Sequence, residues 1–582
     1  MSCVAATFCG RGSRGAGPLP AVVVQKRLGH SLWSWFERRT ALGVRHSLAV
    51  VVRTGLCLLL LVGFVDAAQQ LRFCLHSEPR TFNPLLVDEE SGEAIRYLTA
   101  GVLVRVNRKT QALEPELAVS WKVSEAGRAI SFRLRDGVSF SDGTPFTSAD
   151  VAYTFRMLME PATHSSTGDA FRSGEGKFEA VPEGPSKITL RFPAPVAGLD
   201  RLFDQVGILS ATSPKKEMAV LGAFRVKEHK PGASILLEKN PNYWKKDASG
   251  RKLPYVESIR LDIEQNREVE LLRFQRGELD LINTVDPDHF DQLSAKAASS
   301  AVDSGAGMDS EFLWFNQAPG SPIAAYKKAW FRSTAFRRAV SDAINRQDIA
   351  RIVYKGHATP AYGPVSPANK VWFNTALKAP VYRPEQARRA LEKDGFRFAN
   401  GVLRDREGHD VEFSLMTNGS NKARTRIAAM IQQDLKAIGI KVNVAALDFP
   451  SVLERMNRTL DYDACLLGLI NVDLDPNLQM NVWLSSSSMH AWSPKQANPE
   501  TAWEAEIDSL MQQQASQLDS KKRKAAFDRV QELVAQQAPI LYLVNKNALS
   551  AVAPTVQNAS PVVLRPQAFW NAERITTKER AN

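Results

Sequence analysis

Between Val411 and Val444 the sequence changes period twice, and this settles what kind of sheet the chain can build. Val411, Phe413 and Leu415 alternate along the chain as they would in a strand with one buried face. Ile427, Met430, Ile431, Leu435 and Ile438 then recur at helical spacing. Gly439 can take the left-handed conformation that ends a helix, and Ile440, Val442 and Val444 alternate again. A strand–helix–strand unit of this length joins parallel strands by a right-handed crossover. The expected fold class is therefore α/β with a sheet that is at least partly parallel.

Similar signals run along the rest of the chain. Gln70–His76 reads as a strand, and so does the segment in which Ile130, Phe132 and Leu134 alternate with Ser131, Arg133 and Arg135. After Pro145, Thr147 and Asp150 have the spacing of a capping box, in which each side chain satisfies an unpaired backbone N–H. Val151, Phe155 and Leu158 form the apolar stripe of the helix that follows, and Pro161 stops it. A polar helix is expected over about 500–537, then the strand PILYLV and a proline-punctuated tail.

The 582 residues leave room for roughly three or four domains at about 150 residues each. Hydrophobic residues make up 44% and charged residues 23%, an ordinary globular balance with no low-complexity tract and no repeat. The net charge of +12 is partly local. Residues 1–67 hold eight Lys and Arg against two Asp and Glu, leaving 66 against 60 for the remainder, a net of +6. The one dense basic run, Lys521–Lys524, follows Asp519 in a polar helical stretch and reads as a solvated face. No nucleic-acid partner is expected.

Residues 54–65, TGLCLLLLVGFV, are an apolar core preceded by Arg45, His46 and Arg53 and followed by VDAA, with Val65 and Ala67 as the small residues of a cleavage site. This is the order of a secretory signal peptide, and Arg53 keeps the run shorter than the ~20 residues that span a bilayer. Residues 1–68 are expected to be a leader, cleaved or retained as an anchor, that sends the chain to a periplasmic or other extracytoplasmic location. Residues 1–43 are expected to lie upstream of the true start near Val44. Beyond the leader only Cys74 and Cys465 remain. Both lie in apolar strand-like segments and read as small buried residues in preference to a bridge.

No catalytic or cofactor motif stands out. The nine histidines form no HExxH and no other close pair, and there is no CxxC. There is no G-x-S-x-G elbow and no phosphate-binding loop. The segment SGEGK, Ser173–Lys177, lacks the first glycine and the final hydroxyl of such a loop. No metal, no cofactor and no enzymatic activity are expected.

Seven blocks, in order, resemble the family 5 extracellular solute-binding proteins, the oligopeptide- and dipeptide-binding components of ABC importers. EPRTFNPLL is similar to the opening loop. LEPELAVSWKVSEAGRAISFRLRDGVSFSDGTPFTSADVAYTF resembles the most diagnostic block. The others are LGAFRVKEHKPGASILLEKNPNYW with LPYVESIRLDIEQNREVELLRFQRGELDLI, FLWFNQAP with FRRAVSDAINRQDIARIVYKGHATPAYGPVSP, YRPEQARRALEKDGF, QQDLKAIGIKVNV, and the closing APILYLV. The resemblance implies a type II bilobal flytrap of three domains with mixed sheets and two interlobe crossings, near Leu313–Asn316 and Leu543–Leu549. Domain I would comprise 69–110, 216–312 and 547–582, domain II 111–215, and domain III 313–546. It also implies a monomer that closes on a peptide or other small solute and delivers it to a membrane permease. A non-peptide solute, such as a metal chelate, an oligosaccharide or an amine, is the alternative, as is a sensing or chaperone role.

The resemblance marks candidate ligand contacts and one departure. Peptide-binding relatives carry an Asp four residues before the Pro of an acid-Pro pair, where it meets the ligand's ammonium. Here that position is Val472, and Asp473 stands one place later, with Asp475 before Pro476. Asp473 and Asp475 also suit a turn. The candidates are Asn316, Tyr362, Asn471, Asp473, Trp483 and Trp492, although the aromatics equally suit a core.

Overall fold

In the computed structural model the described residues are 69–87, 89–163, 165–169, 171, 176–196, 198–214, 219–469 and 474–578. They belong to one unit of the chain, Asp66–Asn582. The expected leader over 1–68 and the start near Val44 lie outside the described residues, as do Asn471 and Asp473.

Three main sheets organise this unit. The first runs in the order Gln70–Leu75, Ser258–Ile263, Ser234–Lys239, Phe224–Lys230, with only the first pair parallel. The second is antiparallel throughout, in the order Ala118–Ser124, Ala129–Leu134, Lys187–Arg191, Glu179–Pro182. The third has seven strands and is mixed. It holds the expected strand–helix–strand unit: Glu412–Asn418, the helix Lys422–Lys436, and Lys441–Leu447, with the two strands parallel. Ile427, Ile431 and Leu435 are buried against the sheet. Gly439 has φ +81°, and a Cβ there would stand 2.6 Å from the Phe398 ring, so conformation and space both require glycine.

Alternation along the strands of the third sheet divides its side chains between two cores. Leu313 and Phe315 pack on one face with Phe413, Leu415 and Ile431. Trp314 packs on the other with Cys465, Trp483 and Phe527. The first sheet has its own core around Phe73, Leu237 and Phe569, and the second has one around Phe132, Phe155 and Phe203. Cys74 and Cys465 sit in different cores, both free and buried.

The capping box forms as read, with the Asp150 carboxylate accepting from the Thr147 backbone N–H at 2.7 Å, and it opens the helix Ser148–Met159. The single helix expected over 500–537 is instead two, Ala502–Ser516 and Ser520–Gln537. Asp519 causes the break. Its carboxylate accepts from the N–H groups of Lys521 and Lys522 and starts a new helix there. The basic run at Lys521–Lys524 also departs from a uniformly solvated face. Lys521 and Lys522 are exposed, but Arg523 is buried.

Two long strands, Ala301–Phe315 and Ile540–Val552, pair antiparallel and join the cores. Ala301 and Ala551 pack with the core of the first sheet, and Leu313 and Leu543 with that of the third. Their pairing shifts register between Asp303 and Ala306, between Ala306 and Ser310, and between Glu311 and Phe312. The passage between cores thus falls at Asp303–Glu311 on the first strand. Leu313–Asn316, expected at that crossing, already lies past it, because the alternation that buries Leu313 and Phe315 begins there. Among the described residues no helix is long and apolar enough to cross a membrane.

Candidate functional site

Where the three sheets meet, a cleft of about 670 Å³ opens between the cores. The tail of the chain, the end of the first strand with His76 and Ser77, the helix Glu90–Thr99 and the two long strands supply one side of its lining. The hairpin after Val104, the segment around Asp204, Thr167 with Phe171, and Leu474 with Asp475 face it.

Charge in the cleft is plentiful, and most of it is internally matched. Asp204 is buried and accepts from Arg108 Nη2 at 2.8 Å and from the Val106 backbone N–H at 3.0 Å. Burial by itself would raise its carboxyl, but the guanidinium groups of Arg108 and Arg105 outweigh that and hold it below the ordinary carboxylate value. Arg108 also donates to the carbonyl of Arg565 at 2.8 Å. Arg565 in turn bonds Glu90 at 2.8 Å and Asp309 at 3.3 Å. Arg96 pairs with Glu93 at 2.5 Å. The Glu89 carboxylate accepts from the N–H groups of Ser91 and Gly92, each at 2.7 Å, and caps the helix that borders the cleft.

Asp475 forms the deepest pair. It is buried and accepts from Arg523 Nη1 at 2.7 Å on Oδ2, and from Arg523 Nη2 on Oδ1. Oδ1 also accepts from the Asn477 N–H at 3.0 Å, so Asp475 shapes the turn before Pro476 as the sequence suggested. Opposite stands Gly198 with φ +64°. A Cβ there would come 2.6 Å from Asp475 Oδ2, so only glycine lets that wall approach the pair.

Such a cleft can hold a solute by matched fixed charges and apolar walls. Bond-making chemistry has less support. The Cys74 thiol at its edge is pushed up to about 12 by burial and then by Glu270, which leaves it a poor nucleophile. Among the described residues no group of three or more His, Cys, Asp or Glu side chains could hold a metal ion.

The residues singled out by sequence lie elsewhere where they are described. Asn316 is buried, and its amide donates to the carbonyls of Leu460 at 2.8 Å and Tyr462 at 2.9 Å while its oxygen accepts from the Ala318 N–H at 3.1 Å. Its bonds serve the turn that leaves the long strand. Tyr362 is half-buried and meets Phe373 edge-on, with centroids 5.8 Å apart. Trp483 and Trp492 are core residues, and Trp492 Nε1 donates to Glu504 at 2.9 Å. None of these four lines the cleft. Of the DLDP segment, Leu474 and Asp475 do. Arg96, Arg108, Asp204 and Arg565 carry no motif that would have marked them.

Glu504 itself supports a stability prediction. Burial alone would raise its carboxyl, but bonds from His490, Thr501, Gln496 and Trp492 hold it at about 2, against an ordinary 4.5. A depressed carboxylate stabilises the fold above its unfolded value and loses that contribution as pH falls towards the folded one. The term is on the order of 3 kcal/mol at neutral pH. Glu504→Gln should therefore lower the urea midpoint strongly at pH 7, with the deficit shrinking as pH falls from 4.5 towards 2. A deficit independent of pH would show that the charge is not what matters.

Residues 112–491 match the family described as bacterial extracellular solute-binding proteins, family 5 Middle. This chain belongs to that family. Among similar proteins, the probable ABC transporter-binding protein of Deinococcus radiodurans is 28% identical over 436 residues, covering 67% of this chain and 71% of its own. Among solved structures, the oligopeptide-binding protein AppA from Bacillus subtilis in complex with a nonapeptide has a TM-score of 0.65 at 22% identity, covering 88% of this chain and 100% of its own. NikA from Brucella suis in complex with Fe(III)-EDTA has a TM-score of 0.73 at 21% identity, with the same coverage. The family 5 fold expected from the seven sequence blocks is thus the fold found, a type II solute-binding architecture with mixed sheets.

Proposed function

We propose that this family 5 chain captures a short peptide or peptide-like solute in the cleft by lobe closure. It then passes the solute from the extracytoplasmic side to the membrane permease of an ABC importer. It acts as a monomer and without catalysis. Domain I takes in 69–110, 216–312 and 547–582, domain II 111–215 and domain III 313–546, and a solute touching both lobes favours the closed form.

The observation that carries this reading is the lining of the cleft. Fixed acids and bases stand around it between apolar walls, and most of them are paired with one another, as in Arg96–Glu93, Arg108–Asp204, Arg523–Asp475 and Arg565–Asp309. A highly charged ligand of one sign would leave half of those groups opposed to it. A peptide brings a neutral backbone and ends of opposite sign, so it can lie beside paired groups of both signs without leaving a net charge opposed, with water completing the polar contacts. A metal chelate is the second reading, supported by the guanidinium groups of Arg96, Arg108 and Arg565 on the cleft and by the likeness to NikA. Mass spectrometry of the solute released from protein purified without denaturation distinguishes the two. Short peptides are the expected result, and recovery of a metal chelate or a sugar alone would overturn it.

A further inference from the structure

We propose that Gln111 is a latch residue. Its side chain holds the lobe built on the second sheet to the lobe built on the third, and so sets how firmly the protein closes without touching the solute. This rests on the closure reading above.

Gln111 sits at the turn of the hairpin that pairs Val104–Val106 with Leu113–Pro115. Leu103, Val104 and Leu117 root the hairpin in the core of the second sheet. The residue has φ +64°, in the left-handed region, and is 2% exposed. Its amide is spent across the gap. Nε2 donates to the Ala368 carbonyl at 2.5 Å, and Oε1 accepts from the Lys370 N–H at 3.0 Å. Beside it, Lys370 Nζ donates to the Lys109 carbonyl at 3.3 Å. A primary amide is the side chain that can satisfy one backbone carbonyl and one backbone N–H at once.

The segment it grips belongs to the other lobe. Trp372, two residues on, is buried in the core that also holds Trp314 and Phe527. The same short stretch is fastened further, with Asn369 Nδ2 donating to the Leu474 carbonyl at 2.9 Å. Ser366 Oγ donates to the Gly307 carbonyl at 2.6 Å on the long strand, and Ala368 packs with Met308 and Leu564 in a small cluster that also borders the cleft. Gln111 does not line the cleft; its neighbour Arg201, which donates to the Gln111 carbonyl at 3.1 Å, does. Solute on one side of this contact and the latch on the other would therefore stabilise the same closed arrangement. If the lobes part, the Gln111 amide and both its backbone partners pass to water together, so the bracket is made or broken as a unit.

The left-handed backbone dictates the test variants. Alanine at φ +64° would add strain of its own, whereas glycine keeps the conformation and removes only the side chain. Asparagine also tolerates this conformation and keeps the amide, but is one methylene too short to bridge. Amide hydrogen exchange is followed on the whole protein with no solute added, so failure of the solute reading cannot be mistaken for failure of the latch. In Gln111→Gly and Gln111→Asn, exchange over 366–370 should quicken roughly tenfold or more, the loss of two neutral hydrogen bonds. Exchange over 113–134 and 464–469, and the melting temperature, should stay as in the wild type. Unchanged exchange over 366–370 would overturn the proposal, and so would a wild-type segment with no protection to lose. Exchange rising equally over 113–134 would make Gln111 a residue of its own hairpin only, and would also overturn it.

Discussion

Replacing Arg523 with methionine should cost the folded state about 3–5 kcal/mol, the usual penalty for leaving one partner of a buried ion pair alone. Asp475 is 3% exposed and Arg523 5%, so neither charge can turn to water when the other is lost. Arg523 also donates from Nε to Gln514, at 3.1 Å to its carbonyl and 3.2 Å to its side-chain oxygen, and lies over the Trp372 ring at 4.8 Å. Methionine preserves most of the packing on that ring and removes the charge. Adding Asp475→Asn should recover much of the loss, because asparagine still offers Oδ1 to the Asn477 N–H and no longer needs a counter-charge. Urea unfolding of the two single variants and the double gives the coupling. Losses that simply add would mean the two residues act independently, and the pair would not be what holds this wall of the cleft.

That pair also shows where sequence stops informing. The KKRK run reads as a solvated face because three of its four residues are lysines on a polar helix. What buries Arg523 is Asp475, which is distant in sequence and comes beside it only in the folded chain. Local signals fared better. The period changes around Lys422–Lys436 and the Thr147–Asp150 spacing are properties of short segments, and they appear in the structure at those positions. Asp519 carried a local signal too, an N-cap inside an apparently continuous polar helix, and it divided that helix in two. Trp483, Trp492 and Asn316 illustrate the opposite case. An aromatic or an amide near a diagnostic motif suits a core as well as a ligand platform, and only partners such as Glu504 and Leu460 decide between them. The cleft residues come from segments that are remote along the chain. Arg108 reaches Asp204 and the Arg565 carbonyl, and no spacing rule links the three.

For a peptide with a free amino terminus, Asp473→Asn should weaken binding by roughly 100-fold or more, at about 1.4 kcal/mol for each tenfold. Relatives that bind peptides place a carboxylate one residue earlier, where this chain has Val472, and an ammonium held without a counter-charge loses the stronger class of hydrogen bond. Asp473 immediately precedes Leu474 and Asp475, both of which line the cleft. Asp475 cannot take the role cheaply, because its carboxylate already serves Arg523 and Asn477. Asp475→Asn should therefore weaken every solute alike, through the wall it supports. Asp473→Asn should spare an N-acetylated form of the same peptide. Calorimetric titration of both variants with the free and acetylated peptides separates these outcomes. Equal losses for the two peptides in Asp473→Asn would assign Asp473 to the fold. No loss for either would mean that the protein holds its solute by something other than an amine, and the chelate reading would then lead.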